Sequence, residues 1–215
     1  SAGTVTLSGS SKTINTHSGN NFFNLTSTGD KTVQSELDIN GNLTVSSGEL
    51  SMGTNNADVA SSKTVDWDGT ISISSGVFTA NGPSDFTNGT LSISSTGTYD
   101  ANGTFTAASG NVTFTGAGFL KCNNTVSNLG TLTITTGTVV YDGASTQAIR
   151  TDNYYNLTID QSGTKQASGT LDISGDLIVS NGAVFDINGQ NAVVGGNWND
   201  AGGTFQATGG GVLIN

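Results

Sequence analysis

The feature that most constrains this chain is internal repetition. Residues 37–48 read LDINGNLTVSSG and residues 171–182 read LDISGDLIVSNG, an offset of 134. Phe22-Phe23-Asn24-Leu25-Thr26 recurs as Tyr154-Tyr155-Asn156-Leu157-Thr158, and TVTLSGSSKTI (4–14) resembles TVVYDGASTQAI (138–149). Three blocks recur in one order, so one module occurs twice. A fixed self-similarity of this kind points to stacked units, each too small to bury its own apolar face.

A shorter motif, Gly-Thr followed by an alternating run and another Gly, occurs as GTISISSG (69–76), GTLSISSTG (89–97), GTFTAASG (103–110), GTLTITTG (130–137), GTLDISG (169–175) and GTFQATGG (203–210). In GTLTITTG, Leu132 and Ile134 alternate with Thr131, Thr133 and Thr135. That is the period of a strand with one buried face. Gly and Asn between runs suit tight corners.

Gly69 and Gly89, Gly110 and Gly130, and Gly169 and Gly189 each lie 20 residues apart. Three short strands and three corners consume that length. The pattern predicts an all-β chain, a parallel β-helix of roughly ten coils with about 20 residues per coil. Residues 1–215 are read as one continuous solenoid, with module copy 1 at 4–55, an insert of shorter Gly-Thr repeats at 56–137 and copy 2 at 138–215. At about 4.8 Å per coil the rod is on the order of 50 Å long. A pair of antiparallel sandwiches also fits short strands. The close turn spacing and the whole-coil length difference between copies favour the solenoid.

Composition agrees. Hydrophobic residues make up 33% and charged residues 10%, against roughly 45–50% and about 25% in ordinary domains. With a single proline, Pro83, and regular β-patterning, the chain reads as ordered rather than disordered. Net charge is −10, and Lys12, Lys31, Lys63, Lys121, Arg150 and Lys165 are scattered. No basic patch can neutralise phosphates, so neither nucleic-acid binding nor membrane insertion is expected.

The blocks FFNLT and YYNLTI, with VVGGNWNDAGGTFQATGGG (193–211), resemble the Gly/Thr/Asn-rich repeat regions of large bacterial surface and secreted proteins. These are adhesin-like, similar to filamentous-haemagglutinin and autotransporter-type β-helices. The resemblance covers nearly the whole chain and implies an extracellular structural role, without catalytic residues to carry over.

Candidate chemistry is sparse. His17 is the one histidine, in a Thr16-Ser18-Gly19 setting that reads as an exposed corner, and Cys122 is the one cysteine, so neither a disulfide nor a His/Cys metal cluster can form. Asp66 and Asp68 flank Trp67 as the best carboxylate pair for a β-helix enzyme, with Arg150 and Asp152 weaker. Asp38–Asn42 and Asp172–Asp176 carry part of a calcium-loop pattern but lack its remaining ligands. No cofactor and no enzymatic activity are expected.

The ends carry the assembly expectation. Thr4, Val5, Thr6 and Leu7 at one end and Val212, Leu213 and Ile214 at the other form similar strands, and neither end has a polar cap. The chain is therefore expected to join head to tail with itself, or with neighbouring repeats of a longer chain, as a segment of a filament or stalk. An adhesin that binds surface glycans is the alternative, and exposed rings at Trp67, Tyr154 and Tyr155 would support it.

Overall fold

The computed structural model describes residues 3–17, 21–133 and 135–215, and those residues form a parallel β-solenoid. Ile134, Ser18 and Gly19, named above, lie outside the described residues. Each winding contributes three short strands, and strand partners on neighbouring windings are 18 to 22 residues apart, as in Leu25↔Leu43 and Leu43↔Val65. All the ladders between successive windings are parallel and carry the main-chain hydrogen bonds that a thin apolar interior alone would leave unmade.

The strands lie on three faces. Face 1 begins with Thr4–Leu7 and runs through seven strands to Val126–Asn128. Face 2 begins with Lys12–Ile14 and runs through seven strands to Thr131–Thr133. Face 3 is one sheet of nine strands, from Leu37–Ile39 to Trp198–Ala201. Above residue 133 the positions of faces 1 and 2 in the winding are taken by two new four-stranded sheets. One starts at Gln147–Ile149 and the other at Asn153–Tyr154. The stack therefore has a seam, crossed by the ladder of face 3 alone among the described residues.

Alternation builds the interior. In Thr90–Ile93, Leu91 and Ile93 are buried while Thr90 and Ser92 face outward. Two inward side chains per strand, rather than one, fill the core. Windings 65–114 add an aromatic spine: Trp67 stacks on Phe86 with ring centres 5.8 Å apart, and Phe78 stacks on Tyr99 at 5.2 Å. The Tyr99 hydroxyl is buried with the Ser84 hydroxyl 2.8 Å away, so the one polar atom of that spine is satisfied.

The Gly-Thr motif supplies strands on more than one face. It forms Thr70–Ile73 and Thr90–Ile93 on face 2, but Phe105–Thr106 on face 1. Corners bring backbones so close that several admit only glycine. A Cβ on Gly41 would lie 1.9 Å from the Phe23 carbonyl oxygen.

The two sequence copies make the same contacts. The Asn24 side chain accepts from Asn42 N–H at 2.8 Å and donates toward the Thr4 hydroxyl at 3.4 Å. Asn156 accepts from Asp176 N–H at 2.8 Å and donates toward the Thr138 hydroxyl at 3.5 Å. The copies nonetheless occupy different faces. Thr4–Leu7 lies on face 1, whereas its equivalent Thr138–Tyr141 lies on face 3. The second copy is turned by one face about the solenoid axis.

Candidate functional site

Three kinds of place could carry function: the two ends, the lysine-filled corners and the seam.

At the N-terminal end, Thr4–Leu7 pairs on one side only, with Asn24–Thr28, and Lys12–Ile14 pairs only with Lys31–Val33. Thr4 and Thr6 are exposed, Val5 is 41% exposed, and Leu7 is half-buried against the core. At the C-terminal end, Trp198–Ala201, Thr204–Gln206 and Gly211–Ile214 are the last strands of their sheets. Leu213 is 57% exposed and Ile214 56%, while Val212 packs partly on the core. Trp198 and Phe205 meet edge to face at 4.7 Å over the buried Phe185. Each end thus presents main-chain edges around an open cross-section of the apolar interior.

Two of the six basic side chains are inside the solenoid, which composition alone did not reveal. Lys31 follows a corner, and its Nζ donates to the carbonyls of Thr28 (2.7 Å), Gly29 (3.0 Å) and, one winding earlier, Gly9 (2.6 Å). Lys165 donates likewise to Ser162 (2.8 Å), Gln161 (3.3 Å) and, one winding earlier, Gly143 (2.6 Å). Each ammonium has three acceptors, the number of its hydrogens. Burial pushes the Lys165 amine below the ordinary lysine value, against an opposing pull from Asp142 and Asp160. Lys31 and Lys165 are 134 residues apart, the offset of the LDINGN and LDISGD blocks. That spacing was the available signal.

The seam is held by side chains where ladders stop. The buried Gln147 amide donates to Cys122 O at 2.9 Å and Asn124 O at 2.8 Å, and accepts from Gly143 N–H at 2.8 Å. The Tyr141 hydroxyl accepts from Arg150 N–H at 3.0 Å, and the Tyr154 hydroxyl donates to Arg150 O at 2.6 Å. Asp142 has a buried carboxylate oxygen without a partner, and burial together with Asp100 raises its pKa above the ordinary carboxylate value. Between the two corners lies a shallow polar groove lined by Asn123, Asn124, Thr125, Ser145 and Thr146.

The remaining sequence candidates fall apart spatially or lie on open faces. Asp66 and Asp68 are exposed on face 1, with Asp66 beside Asp85 in the ladder. Burial first, then Asp68 and Asp85, raise the Asp66 pKa. Trp67 and Tyr154 are buried, and only Tyr155 of the three proposed binding rings is partly accessible. Cys122 is buried, its thiol pushed far up by desolvation, while Lys121 points to the opposite face. His17 is exposed. Asp38 and Asp172 are outward residues on different faces, in the ladders with Asp58 and Val193. No group of three or more His, Cys, Asp or Glu that could hold a metal occurs among the described residues.

The chain is, by its structure, a repeat protein of the parallel β-solenoid class. Comparison with family models, curated proteins and solved structures returned no match.

Proposed function

We propose that this chain is an extracellular structural protein, a subunit or segment of a filament or surface stalk, joined head to tail through its open solenoid ends. The observation that carries the reading is the pair of open ends: three unpaired strand edges at the C-terminal end and two at the N-terminal end, each ringed around exposed apolar side chains. Such edges are templates for further pairing. Either a second copy or neighbouring repeats of a longer polypeptide would complete them.

Burial of Trp67 and Tyr154 supports a scaffold over a glycan-binding surface, since aromatic recognition needs accessible rings. The carboxylates Asp66 and Asp68 lie exposed on a sheet face rather than in a cleft, which lends little to a carbohydrate-active enzyme. The extracellular placement rests on the resemblance to bacterial surface repeats. Immunogold labelling of intact producing cells tests the role: label along extended structures outside the envelope is expected, and label only after permeabilisation would contradict it.

A further inference from the structure

We infer that the partner at the open ends is a second copy of this chain, seated with its Thr4–Leu7 strand on Trp198–Ala201 and its Lys12 in the Gly202–Gly203 corner beside Asp200. This rests on the scaffold reading and adds its register.

The winding order fixes which strand comes next. The last strand, Gly211–Ile214, holds the second position of its winding, so the next position is face 3, on top of Trp198–Ala201. The chain already contains such a join. Thr138–Tyr141, the equivalent of Thr4–Leu7, follows Thr131–Thr133 and lies parallel on the face 3 strand Phe119–Cys122. Repeating that step between chains places Val5 over Trp198, since Val5 shares the inward phase of Leu25 and Trp198 that of Leu177. Val5, Leu7 and Ile14 then close over Trp198 and Phe205. Outward Thr6 falls beside outward Asn199.

Lys12 is a half-made copy of the lysine corner. It stands in register with Lys31, one winding earlier. Lys31 takes two carbonyls from its own corner and one from the winding before. For Lys12 the winding before would be the partner chain's. Lys12 is exposed, and among the described residues its Nζ has no acceptor. In the proposed join it meets the corner between Trp198–Ala201 and Thr204–Gln206. The Asp200 carboxylate already sits there, accepting from Gly202 N–H at 3.2 Å. Overall charge matches: residues 1–29 contain Lys12 and no Asp or Glu, whereas residues 166–215 contain Asp172, Asp176, Asp186 and Asp200 and no Lys or Arg. Opposite ends attract and like ends do not. The contact is heterologous, so it propagates into an open fibre.

The test is a cross-link in the full chain. A Thr6→Cys/Asn199→Cys variant, oxidised mildly, should run as a covalent ladder of multimers on a non-reducing gel, because facing positions on paired strands lie within disulfide reach. Either single substitution should stop at dimers. A ladder from Thr6→Cys/Gln206→Cys instead would overturn the register while leaving head-to-tail joining intact. In sedimentation, Lys12→Glu should weaken self-association roughly tenfold or more, and Lys12→Glu/Asp200→Lys should restore it. A protein that stays monomeric at high concentration would overturn the second copy as partner, whereas the scaffold reading itself stands or falls on the cell labelling.

Discussion

The two copies of the module are the same hydrogen-bonded object in two settings. In the first, Asn24, Gly41 and Lys31 sit in windings whose neighbours pair with them in order on faces 1, 2 and 3. In the second, the equivalents Asn156, Gly175 and Lys165 make the same contacts one face further round, immediately above the seam. Local geometry therefore belongs to the module, while its place on the rod is set by the count of strands beneath it. A solenoid tolerates this because each winding needs only a parallel edge to build on.

Equivalent glycines offer the sharpest break of that comparison. At Gly41 an added Cβ meets the Phe23 carbonyl at 1.9 Å, a backbone atom with nowhere to go. At Gly175 the nearest atom is the Asn156 side-chain oxygen at 2.4 Å, with the Tyr155 carbonyl at 2.9 Å. Gly41→Ala should cost about 3 kcal/mol or more and Gly175→Ala about 1–2 kcal/mol, read by urea unfolding. Equal costs would mean that the two corners are less alike in rigidity than their hydrogen bonds imply.

The lysine corners should behave alike. Lys31→Met and Lys165→Met each strand three carbonyls that have lost their donor, and each should cost about 2 kcal/mol. A loss confined to one copy would separate the modules. The seam has its own chemistry, absent from the first copy, where Leu7 occupies the place of Tyr141. Tyr141→Phe removes the acceptor of the Arg150 N–H and should cost about 1 kcal/mol. Leu7→Phe, tried in parallel, removes no hydrogen bond.

The seam should also answer to pH. Asp142 has a folded pKa raised above the ordinary value of 3.8 by burial and by Asp100. The folded state therefore holds this proton more tightly than the unfolded state. The resulting stabilisation is complete below the ordinary value and is lost as pH rises through the raised one. Thermal unfolding of the wild type should shift upward on mild acidification from neutral pH. Asp142→Asn should raise the melting temperature at neutral pH and flatten that slope. The smallest effect concerns dynamics. Amides of 126–133 and 147–154, with no ladder between them among the described residues, should exchange faster than those of Phe119–Cys122 and Thr138–Tyr141, which pair across the same level.

Much of this was legible in the sequence. Runs such as TLSISS and TISISS gave strand, face and burial together, because alternation fixes which residues point inward. Trp67 read as a core ring between two outward aspartates, and the described structure places it so. The one-face turn was not legible. The Gly-Thr motif looks identical at 69–76 on face 2 and at 103–110 on face 1, since a short strand carries no mark of its position around the coil. Lys31 and Lys165 escaped for a different reason. A lysine among Gly, Ser and Thr reads as solvated, and only the carbonyls supplied by an adjacent winding make its burial tolerable. The candidate ends were legible as unpartnered strands. Lys12 as an incomplete corner became visible only beside its completed relatives.

A distance between spin labels tests the stacking of windings most directly. Asp58 and Asn199 are exposed outward residues of face 3, connected through Thr79, Asp100, Lys121, Val140, Thr158 and Ile178 in successive ladders. Seven steps at about 4.8 Å put the two backbones roughly 34 Å apart. A single narrow distance near that value, allowing for the label arms, is the predicted result. A much shorter or broadly spread distance would contradict one unbroken face running through the seam, and with it the turned second copy.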